Sequence, residues 1–252
     1  YRSMRQKEYN LPQSKVAQTQ ISGDDRCKLI DNLCRLHYKT QLTTITFYRA
    51  VGILDRLTNI VELSTSNYLI FGYAAMFIAS KFDDVVPLRM QDAVDISGGQ
   101  FTIDDLKKAE IYLYNAIDFD LDFPTALFFE MLYLKLEGTQ MSQEFFLLTR
   151  YIMELCMLIV DFINAPDSFI AAVSVMTART LFGMEPWTEQ LYGFTQYSFE
   201  NLCPSVKMLH QLLYNNCFEN SFVKRKYASA LFKNVANIPI PPQLPPPFPF
   251  YQ

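Results

Sequence analysis

From Asp24 to about Tyr227 apolar residues recur three and four positions apart almost without a break, and that period restricts the chain to helices packed on helices. Strand-like alternation is rare, and glycine is only 8 of 252 residues. The pattern predicts an all-α fold with helices near 24–40, 43–58, 65–82, 86–96, 102–117, 124–136, 142–161, 166–182, 187–194 and 198–215. Starts are marked by Ser22 with Asp25 three residues on and by Thr102 with Asp105, both in capping-box spacing; Ser64 opens a third run and Pro124 suits a first helical turn. Gly98-Gly99, Gly138 and Gly183 punctuate the ends.

These segments form two sets of five, and the third of each is rich in small residues: Gly72, Ala74, Ala75, Ala79 and Ser80 in one, Ala171, Ala172, Ser174 and Ala178 in the other. Small side chains let neighbouring helices approach closely, so each is expected at the centre of its bundle. Two tandem five-helix bundles result, with one irregular ten-helix domain as the alternative. The expected division is 1–23 as a short helix carrying Arg2, Arg5 and Lys7 plus a polar linker, 24–122 and 123–217 as the bundles, and 218–252 as a C-terminal helix and Pro-rich tail. That tail interleaves Pro239, Pro241, Pro242, Pro245, Pro246, Pro247 and Pro249 with Phe248, Phe250 and Tyr251, a polyproline-like pattern that suits an SH3-type ligand or aromatics packed on their own domain.

Charge narrows the partners. The net charge is −4; residues 1–40 carry 8 basic and 4 acidic side chains, 41–140 carry 7 and 14, and 141–252 carry 7 and 8. A nucleic-acid groove needs a concentrated basic face, whereas the centre of this chain is acidic, so no nucleic-acid partner is expected. Five scattered cysteines, Cys27, Cys34, Cys156, Cys203 and Cys217, fit neither a disulfide framework nor zinc knuckles. The most apolar stretch, Leu155 to Val160, falls far short of the ~20 residues that span a bilayer, so no membrane partner is expected. A soluble intracellular protein is predicted. Because the chain opens at Tyr1 rather than Met, any degradation signal is expected upstream.

Catalytic chemistry has nothing to stand on. His37 and His210 lie in amphipathic segments without ligands at metal spacing and read as surface or partly buried structural residues. There is no phosphate loop, nucleophile elbow or HExxH, and the neighbours Asp83-Asp84 and Asp104-Asp105 point about 100° apart on a helix, unlike an acid/base dyad. No catalytic residue, metal or cofactor is expected. The basic stretch Lys224-Arg225-Lys226 suits a solvated helix end or a small-anion site.

One constellation is specific. Arg26-Cys27-Lys28-Leu29-Ile30-Asp31-Asn32-Leu33, then Ala50-Val51-Gly52-Ile53-Leu54-Asp55-Arg56-Leu57, then Ala74 to Asp84, Glu110, and Phe123-Pro124-Thr125 resemble the cyclin box. The second half is similar to mitotic cyclins at Tyr151 to Leu158, Trp187 to Leu191, Tyr197 to Pro204 and Lys226-Tyr227-Ala228, and the likeness is nearest the A/B type, with B favoured. The resemblance implies a non-enzymatic regulatory subunit that forms a heterodimer with a cyclin-dependent Ser/Thr kinase in mitotic control, located in nucleus and cytoplasm. It implies a structural ion pair between Arg26 and Asp55, and a kinase-binding surface of Lys81, Glu110, Phe82, Tyr114, Phe119 and Leu121.

The departures are equally specific. Where many cyclins carry an apolar groove with a nearby glutamate for Arg-x-Leu peptides of substrate or inhibitor proteins, this chain has Asp25, Lys28, Asn32 and Arg35, leaving Leu29 and Leu33 as an apolar floor. Arg35 is expected to repel the peptide's arginine. Two other readings remain: a cyclin-fold scaffold that activates no kinase, and a cyclin-fold transcription factor, against which the acidic first bundle and the missing CxxC knuckles argue.

Overall fold

The computed structural model describes residues 1–9, 16–136 and 141–248. Among these are twelve α-helices, three 3-10 turns and no strand: α1 Arg2–Tyr9, α2 Gly23–Thr40, α3 Thr44–Thr58, α4 Thr65–Asp83, α5 Met90–Ile96, α6 Ile103–Ala116, α7 Ala126–Leu136, α8 Gln143–Leu158, α9 Asp167–Leu181, α10 Glu189–Thr195, α11 Phe199–Tyr214 and α12 Phe222–Tyr227. Gly138, Pro249, Phe250 and Tyr251 lie outside the described residues.

Local chemistry sets the helix starts. Ser22 and Asp25 close a reciprocal capping box on α2, and Thr102 and Asp105 do the same on α6. Each such cap contributes about 0.5–2 kcal/mol. Ser64 caps α4 through the Asn67 amide, and Gly98, Gly99 and Gly183 take left-handed φ of 77°, 73° and 68° after their helices. Three expectations are corrected. The helix foreseen from residue 86 begins at Met90, because Pro87 biases the residue before it toward extended backbone and Val85 and Val86 stay exposed. The helix foreseen to 161 ends at Leu158, where Ile159 turns extended and residues Val160–Phe162 form a 3-10 turn. Pro124 precedes α7 instead of opening it; the Ala126 amide donates to Asp167 Oδ1 at 2.8 Å.

The chain divides into two compact units, Tyr1–Thr125 with Met157–Asn164, and Ala126–Cys156 with Ala165–Gln252. Residues Met157–Asn164 thus pack with the first unit, although they follow α7 in the chain. In the first unit α4 is buried on all sides from Phe71 to Ser80 and packs against α2, α3, α5 and α6. Gly72 permits this: a Cβ there would meet Leu29 Cδ2 at 2.8 Å. The linker is fastened by Gln18, whose amide donates to the Thr58 and Val61 carbonyls at 2.7 Å and accepts from the Leu63 amide at 3.0 Å.

In the second unit α9 is buried from Ile170 to Thr180 and packs against α7 and α11. Glu154 on α8 takes both Lys226 Nζ, at 2.7 and 2.8 Å, and the Tyr227 hydroxyl, at 2.8 Å, out of solvent. Lys224 pairs with Glu219, so the stretch 224–226 keeps too little free charge for an anion site. Both histidines are structural and lie at the buried end of the expected range: His37 Nε2 meets the Thr43 carbonyl at 2.9 Å and His210 Nε2 the Pro241 carbonyl at 2.7 Å. The tail packs on its own unit, with Leu244 and Phe248 buried and the Phe248 and Phe199 rings 5.0 Å apart. No described helix is long and apolar enough to cross a membrane.

Candidate functional site

The last turn of α4 and the middle of α6 bring Lys81 and Glu110 together as an ion pair. Lys81 stands where the helix dipole favours a cation, and its side chain is 36% exposed. Its ammonium sits 4.5 Å from the Phe77 ring and 5.5 Å from the Tyr114 ring, which fixes its direction without consuming its three N–H donors. Partial burial raises the Tyr114 phenol pKa, against the opposing charge of Lys81, so the ring stays neutral.

Apolar surface lies beside the pair. Phe82 is 51% exposed and Phe119 64%, whereas Leu121 is buried. Phe119 owes its position to the end of α6: Asp118 and Phe119 both take left-handed φ, 53° and 56°, and the Phe119 amide donates to the Tyr114 carbonyl at 3.0 Å. That reversal stacks Phe119 on Tyr114, with ring centroids 5.3 Å apart and planes at 17°. Left-handed backbone at a bulky residue costs about 1–2 kcal/mol, so the exposed ring is held by the surroundings and not by local preference.

Asp83 and Asp84 have separate structural roles that sequence reasoning did not find. Arg49 Nε on α3 donates to Asp83 Oδ2 at 2.6 Å, with both side chains buried, and its guanidinium lies 4.6 Å from the Phe82 ring. Asp84 accepts from the Thr43 amide at 2.7 Å and the Thr46 hydroxyl at 2.5 Å, capping the start of α3 from the end of α4. The partners are 34 to 41 residues away in sequence, with no local signal to disclose them.

Arg26 and Asp55 meet as the resemblance implies. Nη1 and Nη2 reach the two Asp55 oxygens at 2.5 and 3.0 Å, and Nε donates to the Met157 carbonyl at 3.0 Å. Burial by itself disfavours the cation, yet Asp55, with Tyr68 behind it, holds the Arg26 pKa above its ordinary value. Burial pushes the Tyr68 phenol up to about 12. The pair is a fastening inside the unit, with Arg26 buried and Asp55 half-buried.

A groove of about 1160 Å³ opens between α2, α4 and α6, lined by Asp25, Lys28, Leu29 and Asn32 together with Leu63, Phe71, Phe101, Lys108 and Tyr112. Two residues expected there do not line it. Leu33 lies about 100° round the helix from Asn32 and is fully buried; Arg35 is a turn beyond the groove's end, near enough to Tyr73 for its charge to oppose the burial that pushes that phenol up to about 12. The Asp25 carboxylate is held below its ordinary pKa by the Ser22 hydroxyl and amide, which occupies it in the cap.

Among the described residues no group of three or more His, Cys, Asp or Glu side chains is placed to hold a metal ion. A paired lysine and glutamate with unused donors and acceptors beside exposed aromatic rings is suited to grip another protein's backbone.

Residues 1–122 match the family model described as "Cyclin, N-terminal domain", and residues 124–241 that described as "Cyclin, C-terminal domain". The G2/mitotic-specific cyclin-B of Patella vulgata is 28% identical over 221 residues, covering 87% of this chain and 54% of its own length. The G2/mitotic-specific cyclin cig2 of Schizosaccharomyces pombe is 30% identical over 204 residues, covering 79% and 48%. The chain thus spans about half the length of such relatives. In fold it is similar to a viral cyclin from herpesvirus saimiri, with a TM-score of 0.72 at 19% identity over 82% of this chain and 95% of that one. A chain of the yeast RNA Pol II CTD kinase CTDK-1 complex gives 0.64 at 13% identity, over 97% and 84%.

Proposed function

The chain belongs to the cyclin family, and from that premise we propose that it is the regulatory subunit of a cyclin-dependent Ser/Thr protein kinase in mitotic control. One observation carries the reading: the Lys81–Glu110 pair stands at a surface where Phe82 and Phe119 are exposed. The remaining Lys81 N–H donors suit kinase backbone carbonyls, the second Glu110 oxygen suits a backbone amide, and the two rings supply area to bury beside the kinase's C-helix.

The mechanism is a shift of population. A kinase whose C-helix rests outward lacks its own Lys–Glu pair, and a rigid surface that binds only the inward state moves the equilibrium toward it and opens the activation segment. Moving such an equilibrium from 1:99 to 99:1 needs about 5.5 kcal/mol of differential binding, which an interface of ordinary size supplies. All catalytic groups belong to the kinase. Substrate or inhibitor proteins are the further partners, nucleic acid and membrane are not, and nucleus and cytoplasm are the proposed locations.

Lys28 and Asn32 stand where an Arg-x-Leu site carries apolar anchors, which disfavours such a peptide and implies that substrates are selected elsewhere, although Lys28 and Lys108 are outnumbered in the groove by Asp25, Glu62 and Asp105. The same alteration favours the second reading, a scaffold that activates no kinase. Titrating a purified mitotic cyclin-dependent kinase with this protein, on a peptide substrate without a docking motif, decides between them. Saturable activation is expected; a folded protein that gives none with a competent kinase leaves the scaffold.

A further inference from the structure

α3 presents Arg49, Gly52 and Arg56 at spacings of three and four residues, hence on one face. The ring of Phe123 rests against Gly52, where a Cβ would come within 2.7 Å of Phe123 Cε2. The guanidinium carbons of Arg49 and Arg56 stand 5.5 and 4.9 Å from that ring's centroid. Both arginines also hold the backbone beside the ring. Arg49 Nη1 donates to the Leu121 carbonyl at 2.6 Å, and Arg56 Nη1 donates to the Asp120 carbonyl at 2.6 Å while its Nη2 reaches Asp120 Oδ2 at 2.9 Å. The opposite edge of Arg49 holds Asp83 and lies against Phe82.

We infer that Arg49, Gly52 and Arg56 form a clamp that seats Phe123 and so fixes where Phe119 and Leu121 stand relative to Phe82. They are positioning residues for partner recognition, an inference that rests on the kinase-binding reading. Residues 118–123 form no helix, and two of them, Asp118 and Phe119, hold left-handed backbone against local preference. A stretch of this kind stays in one conformation only where surrounding bonds over-determine it. Three of the bonds that do so come from two arginine side chains. With Phe82 and Phe119 already placed, the partner does not bear the entropy of ordering them on association.

Gly52→Ala tests this against a merely structural role. Alanine is the better helix former, so helix propensity alone predicts no harm, while the clamp predicts that the new methyl displaces Phe123. Arg49→Gln, which removes the fork, is the second variant. Amide exchange in the full chain is expected to accelerate at least about tenfold at Phe119 and Asp120, with Ile78 inside α4 unchanged. The concentration giving half-maximal kinase activation is expected to rise about tenfold, the ordering cost of two side chains, with the maximum at saturation kept. Unchanged exchange at Phe119 and Asp120, or acceleration spread evenly over the unit, overturns the clamp, as does unchanged affinity where the wild-type chain binds the kinase. Should the wild-type chain bind no kinase, the kinase reading falls and the exchange data alone support or overturn the clamp.

Discussion

Replacing Lys81 by glutamate separates recognition from folding, because the two depend on different properties of the same ammonium. Within the folded chain Lys81 pairs with Glu110 at a partly exposed position, where an ion pair contributes at most about 1 kcal/mol. Its contact with the Phe77 ring adds about 0.5–1 kcal/mol. Lys81→Glu is therefore expected to cost about 1–2 kcal/mol, small against the ~5–15 kcal/mol that keeps a domain folded. At an interface the same group is desolvated, and removing one partner of such a hydrogen-bonded charge pair costs about 2–5 kcal/mol, or about 30- to 4,000-fold in affinity. Urea unfolding and calorimetric titration with the kinase read the two quantities separately. A variant that binds with full affinity refutes the reasoning; one whose stability falls as far as its affinity shows Lys81 to be a structural residue.

Asp55→Asn leaves the buried Arg26 guanidinium without its anion, and urea unfolding is expected to show a loss of about 3–5 kcal/mol, partly recovered by adding Arg26→Met; a loss below about 1 kcal/mol counts against the fastening role. Burial pushes the Glu130 carboxyl, in spite of Arg150, up to about 7, above its unfolded value of 4.5. Its contribution to stability is thus full below about pH 4.5 and lost as pH rises through about 7, so Glu130→Gln should flatten that limb of melting temperature against pH; parallel curves would refute it. His210 acts in the opposite sense: burial lowers its pKa from 6.5, so its contribution is present above about pH 6.5 and lost as pH falls through the folded value, a slope that His210→Gln should remove in the same melts. An Arg-x-Leu peptide followed by fluorescence anisotropy is expected to show no micromolar binding; saturable micromolar binding abolished by Leu29→Ala would restore ordinary docking.

What the sequence disclosed and what it concealed follow from the range of the interactions. Helix starts at Ser22, Ser64 and Thr102 were legible because each cap is completed within three residues. The surrounded helices α4 and α9 were legible because a helix enclosed on every side is apolar all round, with small residues where its neighbours come close. Lys81 with Glu110 and Arg26 with Asp55 came from the family likeness, not from periodicity, since 29 residues separate the partners in each pair. Arg49 carried no signal and Gly52 stood in the family motif without a role of its own: their meaning lies in carbonyls and a ring 71 to 72 residues further on. Lys226 with Glu154 was hidden for the same reason, although both stretches were noticed separately. Arg35 was misplaced because a helical face was followed one turn past the point where the groove closes.

Residues Met157–Asn164 belong to the first unit although the chain has by then built α7 and α8, and this gives the molecule a history as well as a shape. At synthesis rates of about 5–20 residues per second, roughly two to six seconds pass between the emergence of Thr125 and that of Met157. Through that interval the chain holds no carbonyl for Arg26 Nε and no Val160 to stand beside Gly23. A fragment released at Thr125 would carry α1 to α6 complete and still lack the piece that closes them.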